Sequence, residues 1–147
     1  MPVETVFTIV NTAVLPFWLL LLLAPHKQIT NLLVHSGLIG VIYGIIYVFY
    51  LGIAMVGEQP EGAGMGSLAG LQAAFTDPRA MLGAWVHYLV FDLFVGAWIT
   101  RDAKRHEIPH PAIAIPLVLT LMAGPLGLLL YLGLRGAWKQ SFTLNEN

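Results

Sequence analysis

Four long apolar runs constrain this chain more than any other feature: about Thr5–Leu23, Thr30–Val56, Ala80–Thr100 and Pro111–Leu134. A helix needs roughly 20 apolar residues to cross a hydrocarbon core of about 30 Å. Lipid cannot satisfy open backbone groups, so a spanning segment is a helix or part of a closed barrel. The runs are too long for barrel strands and lack period-2 alternation, which selects helices. The expected fold is therefore all-α: a polytopic membrane protein, a bundle of four transmembrane helices, forming one domain over residues 1–147. Composition agrees. The chain is 57% hydrophobic and 10% charged, whereas soluble domains carry about a quarter charged residues. A soluble domain this small has too little interior to hide that much apolar surface.

Charge and cysteine content exclude several function classes. A net charge of −1 leaves no extended basic face for nucleic acid. The absence of cysteine removes disulfides, thiolate nucleophiles and zinc-thiolate sites. The first run does not look like a secretory signal, because Glu4 stands where a basic n-region belongs and Leu23-Ala24-Pro25-His26 is no cleavage site. It is expected to be a retained span.

The connections punctuate the runs. Pro25–Gln28 is a short turn, and Arg101–His110 is expected to be a charged loop. The middle connection, Gly57–Arg79, is longer; Leu68, Leu71 and Phe75 recur in it at helical spacing, with Ser67 placed to cap. That predicts a short interfacial helix between spans 2 and 3. Asp77-Pro78 reads as the cap and first residue of the third span. Four spans put Arg79, Arg135 and Lys139 on one side, against Lys27, Arg101, Lys104 and Arg105. The cluster in loop 101–110 tips that side toward the cytoplasm.

Ionisable groups at bilayer depth cost roughly 2.5–3.5 kcal/mol at the centre on insertion scales, so they need a reason. The third run carries His87 and Asp92 near its midpoint, with Trp85 and Tyr88 on the Asp92 face. His87 lies about 140° away round the wheel. Elsewhere the first run aligns Thr8, Asn11, Leu15 and Trp18, with Pro16 as a kink. The second aligns Tyr43, Tyr47 and Tyr50 with His35 two turns earlier, and its Gly37, Gly40 and Gly44 form a small-residue seam suited to close helix approach. The fourth aligns Pro116, Thr120, Gly124, Gly127 and Tyr131. Each has a packing reading: a bonded histidine, a helix-to-helix hydrogen bond from Asp92, an aromatic belt. His35, His87, Asp92 and Asn11 would suit a metal by donor type, but no HxxxH or ExxH pair gathers them, so no cofactor is expected. Arg101-Asp102, at the water boundary, is expected to be a solvated ion pair.

Three patterns resemble the abscisic-acid-deficient-four family of membrane proteins. They are Asn11 with Leu15-Pro16-Phe17-Trp18, Pro25 and Thr30; His87 to Trp98 followed by Asp102; and Gly124-Pro125-Leu126-Gly127 through Tyr131, with Arg135. The middle pattern is the most specific. The resemblance implies carotenoid or related isoprenoid chemistry, since plant members are associated with making neoxanthin from violaxanthin. No plastid transit segment precedes the first run, which points to a bacterial relative in the cytoplasmic membrane. Opening a carotenoid epoxide to an allene needs an acid at the oxygen and a base at a vinylic C–H, and no redox cofactor. The resemblance thus implies Asp92 as acid and Tyr88 or His87 as relay or base. Asn11, Trp18, His35, Tyr43, Tyr47, Trp85 and Thr120 are the expected lining for an apolar polyene. Membrane lipids are the other expected partners, and homo-oligomerisation is left open. Two alternatives from other classes are a non-catalytic carotenoid-binding subunit of a pigment complex and a small oligomeric transporter.

Overall fold

The computed structural model describes residues 1–139, whose regular secondary structure is helical with no strand among them. Helix α1 (Val3–Ala13) gives way at Val14 to α2 (Leu15–Leu23), whose first turn carries Pro16. Proline removes a donor and crowds the carbonyl four residues back, so the expected kink is a short interruption in one apolar segment, Val3–Leu23. Helix α3 (Gln28–Thr30) runs into a π-helical turn over Asn31–His35, followed by α4 (Leu38–Val56). Gly37 stands between them at φ 81°, a left-handed conformation cheap only for glycine.

Helix α5 (Leu68–Ala74) starts where Ser67 Oγ accepts the Gly70 N–H at 3.0 Å. Asp77 Oδ1 accepts the Arg79 N–H at 2.9 Å, and Pro78 opens α6 (Pro78–Arg105). Both starts are those the sequence signals. With 28 residues, α6 is about 42 Å long and exceeds the hydrocarbon core. Three segments are long and apolar enough to cross a membrane: Val3–Leu23, Gln28–Val56 and Pro78–Arg105. Large apolar side chains such as Ile45 and Phe94 stay 65% and 62% exposed along them, as a lipid-facing surface requires.

The chain divides into two compact units. The first holds Met1–Ala13 and Ile39–Val90. Its buried residues include Val10, Tyr43, Leu82, Val86 and Leu89. Helices close here at Gly83, where a Cβ would sit 3.5 Å from the Leu51 backbone nitrogen. Of the expected glycine seam on the second span, Gly40 approaches α6, a Cβ there lying 4.0 Å from Val90, whereas a Cβ at Gly44 would meet nothing within 4 Å and Gly37 serves the backbone instead.

The second unit holds Val14–Leu38 and the chain from Phe91 on. It contains α7 (His110–Met122) and α8 (Gly124–Lys139). Here the structure corrects the fourth span. The run does not continue through Ala123, which takes φ −158° and ψ 81°. Pro125 has no N–H for the carbonyl of Leu121, and α8 restarts with Leu126 and Gly127 donating to Ala123 O. The two helices then fold back on each other. A Cβ at Gly127 would collide with Thr120 and lie 2.5 Å from Pro116 O; in one straight helix those residues would be about 16 Å apart. Gly124 lies against Asp92, whereas Tyr131 and Arg135 reach Asp102. Helix α8 therefore runs parallel to this half of α6, and α7 runs back against it. Helices of 13 and 16 residues are about 20 and 24 Å long, short of the core. Among the described residues, three segments have the length and apolarity of a span and α7 and α8 pair as a helical hairpin, so an all-helical chain is found but a bundle of four spanning helices is not clearly formed.

The charged loop is also shorter than expected. Helix α6 continues to Arg105, and Asp102 is 1% exposed. Its partners include Tyr131 and Arg135 of α8, which is why Arg101-Asp102 is no solvated pair.

Candidate functional site

Residues proposed from sequence for one site fall into separate settings. In the first unit, Asn11 Oδ1 accepts from Trp85 Nε1 at 3.1 Å. The Trp85 ring stacks on Tyr88 at 5.2 Å and meets Phe7 at 6.0 Å. Tyr43, almost fully buried, donates its hydroxyl to Val10 O at 2.7 Å. Polar atoms of Asn11, Trp85 and Tyr43 thus tie α1 to its neighbours, and Tyr88 stacks on Trp85.

Tyr47 and His87 are placed differently. They line a cavity of about 410 Å³ walled mostly by apolar side chains from α4, α5 and α6, among them Leu51, Met55, Leu71 and Phe75. Their rings lie 5.5 Å apart and tilted by 48°. His87 is exposed, so a molecule in the cavity can reach its imidazole. Asp77 and Gln59 also line the space. The Asp77 carboxylate is engaged by Arg79, Nε at 2.9 Å and Nη2 at 2.8 Å; these bonds hold its carboxyl below the usual carboxylate range. Gln59 donates to Ala54 O. A cavity that is apolar over most of its wall and carries a few convergent polar groups is the usual form of a small-molecule site.

The remaining expected residues sit in the second unit. Trp18 is buried with its ring on Gly96, where a Cβ would come within 2.7 Å. Thr120 Oγ1 donates to Pro116 O at 2.8 Å beneath Gly127. Asp92 is buried with its carboxylate against Gly124, the first residue of α8; the first turn of a helix is where a carboxylate is best accommodated. His35 Nδ1 meets Arg101 Nη1 at 3.2 Å, and its Nε2 meets Pro25 O at 3.0 Å. A guanidinium only donates, so Nδ1 accepts and Nε2 carries the proton. Among the described residues, no three His, Asp or Glu side chains gather as a metal site.

Sequence reasoning missed a deeply buried charged cluster. Asp102 accepts from Tyr131 Oη at 2.5 Å and from Arg135 Nη1 at 3.0 and 3.2 Å, with Arg105 Nη2 at 3.2 Å. Arg135 is fully buried, its guanidinium 5.9 Å from the Trp98 ring centroid. The available signal was Tyr131 and Arg135 one turn apart at the end of an apolar run. An arginine there requires a buried acid partner.

Comparison with known proteins gives a consistent result. The ABA DEFICIENT 4-like family profile matches residues 5–131. The chloroplastic protein ABA DEFICIENT 4 of Arabidopsis thaliana is 31% identical over 110 residues, which is 71% of this chain and 50% of that protein. The chain thus spans about half the length of the curated relative it matches. No solved structure matches the chain.

Proposed function

Because the chain belongs to the ABA DEFICIENT 4-like family, we propose that it is a membrane protein of carotenoid chemistry whose first-unit cavity takes the ring end of an epoxy-carotenoid. The observation that carries this reading is the apolar cavity of about 410 Å³ in which Tyr47 and His87 stand together. The reaction is an isomerisation. The epoxide C–O bond breaks as the oxygen gains a proton; a vinylic carbon loses one, and that C–H electron pair becomes the new double bond. Protons and electrons balance without a redox partner. His87 takes the vinylic proton and the Tyr47 hydroxyl donates toward the epoxide oxygen. Trp85 and Tyr88 hold the helix that carries His87. Asp92, expected from the sequence to be the acid, is read here as the tie that seats the first turn of α8.

The test is pigment analysis of a violaxanthin-containing host with and without this chain, extended to His87→Gln and Asp92→Asn. His87→Gln should lower product formation at least a hundredfold, the usual contribution of a general base. Undiminished product from His87→Gln would remove His87 from the chemistry, and loss from Asp92→Asn in a protein of unchanged melting would restore the acid to Asp92. The cavity's apolar wall equally serves a non-catalytic carotenoid-binding subunit, which would purify with stoichiometric, unchanged carotenoid.

Orientation belongs to the same proposal. Of seven Lys and Arg, six (Lys27, Arg101, Lys104, Arg105, Arg135 and Lys139) lie in the second unit. The hairpin brings Arg135 back to the end of α6 that carries Arg101, Lys104 and Arg105, so the positive-inside rule assigns that end to the cytoplasmic face.

A further inference from the structure

We propose that the second unit carries a site for a phosphate group, separate from the carotenoid cavity and independent of that reading. At the C-terminal end of α6 lies a pocket of about 330 Å³ lined by His26, Asn31, His35, Arg101, Lys104 and Arg105. None of these residues is acidic; His26, Asn31, Arg101, Lys104 and Arg105 all carry N–H donors, while the His35 N–H is taken by Pro25 O. The carboxylate nearest in sequence, Asp102, is buried and already shared among Arg135, Tyr131 and Arg105. It therefore offsets only part of the cationic charge around the pocket.

The geometry is built. His35 is held at both ring nitrogens, by Pro25 O and by Arg101, which pins the Arg101 guanidinium at the wall. Arg105 is held by Asp102 at 3.2 Å. Burial, then the Lys104 charge and the neighbouring imidazoles of His110 and His35, depress the basicity of His26, in keeping with the cationic character of the pocket. An anion placed there relieves that repulsion. Guanidinium forks match phosphate oxygens in pairs, and a lysine adds a point charge. The pocket stands at the end of a membrane-crossing helix, where basic pockets meet lipid headgroups. The shared chemistry is a phosphate anion, supplied by an anionic phospholipid or by free phosphate.

The experiment uses the full chain in neutral detergent and follows thermal melting as phosphatidylglycerol, phosphatidylcholine or inorganic phosphate is titrated at constant ionic strength. Saturable stabilisation by phosphatidylglycerol but not phosphatidylcholine identifies the lipid source; saturable stabilisation by inorganic phosphate identifies the free anion. Lys104→Gln, at an exposed position, and Arg101→Gln should each weaken the apparent affinity roughly tenfold. Glu58→Gln, in the first unit, should not change it. Absence of saturable stabilisation by either probe, or equal affinity in wild type and Lys104→Gln, overturns the proposal.

Discussion

Asp102 sets the strongest test of how this fold is held together. Replacing it with Asn keeps the shape but removes the charge that faces Arg135 and substitutes an NH2 donor where only donors converge. Tyr131 Oη, Arg135 Nη1 and Arg105 Nη2 all point at the carboxylate, so one of them must turn away. Arg135 is fully exposed to the cost, since its own exposure is 0%. Breaking a buried pair by removing one partner costs about 3–5 kcal/mol. Tyr131→Phe removes a single hydrogen bond to a charged group, about 1.5–3 kcal/mol. Asp102→Leu combined with Arg135→Met removes both charges and should recover most of the loss, because an apolar pair of similar volume is often neutral. The assay is reversible unfolding in mixed micelles, arranged as a double-mutant cycle. If Asp102→Asn costs less than about 1 kcal/mol, or the double variant is no better than the single, the buried clamp is not what joins α8 to α6.

Two further outcomes follow from the same fold. The chain has no cysteine, so single cysteines at His106 and Trp138 can be probed with a membrane-impermeant thiol reagent in sealed vesicles. If the α7–α8 hairpin enters and leaves the membrane on one face, both should label from the same side, and labelling from opposite sides would restore a fourth span. The second outcome concerns pH. Hydrogen bonds from Arg79 lower the Asp77 carboxyl below its ordinary value, so the folded state binds fewer protons there than the unfolded state. This contribution is present above about pH 4 and is lost as the pH falls through the folded value. Melting of wild type should therefore drop more between pH 5 and 3 than melting of Asp77→Asn, which can still cap α6; parallel pH profiles would show that the pair contributes nothing.

Much of the architecture was legible because it depends on local chemistry. Pro16 interrupts the first span, Ser67 caps α5 and Asp77-Pro78 starts α6, each through a donor or acceptor that the residue itself supplies or lacks. The fold-back of α7 on α8 was not legible from hydropathy, which counts apolar residues without direction. Gly124-Pro125 is compatible with a kink or with a reversal. The decision is made by Gly127 fitting under Thr120 and by Asp102 recruiting Tyr131 and Arg135, which are contacts between segments distant in sequence. The burial of Asp102 was hidden for the same reason. Of the candidate site, the ring pair Tyr47 and His87 was present among the expected residues, but nothing in their spacing distinguished them from Tyr43 or Asn11.

That distinction rests on what each polar atom already does. Asn11 accepts from Trp85, Tyr43 donates to Val10, Thr120 donates to Pro116 and His35 is bonded at both nitrogens. Buried polar groups in an apolar protein cost free energy unless they are satisfied, so such bonds are the condition under which those residues are tolerated at depth. A group used for proton transfer also needs an approach open to a ligand and an apolar wall that excludes water. His87 is exposed on a largely apolar cavity beside Tyr47, and the proposed proton transfer rests on that placement. Removing Tyr47 therefore separates two roles for this pair. If Tyr47→Phe reduces turnover but preserves carotenoid retention, the hydroxyl serves chemistry and the ring serves binding; loss of retention alone would make the pair a binding wall and leave the isomerisation to other residues.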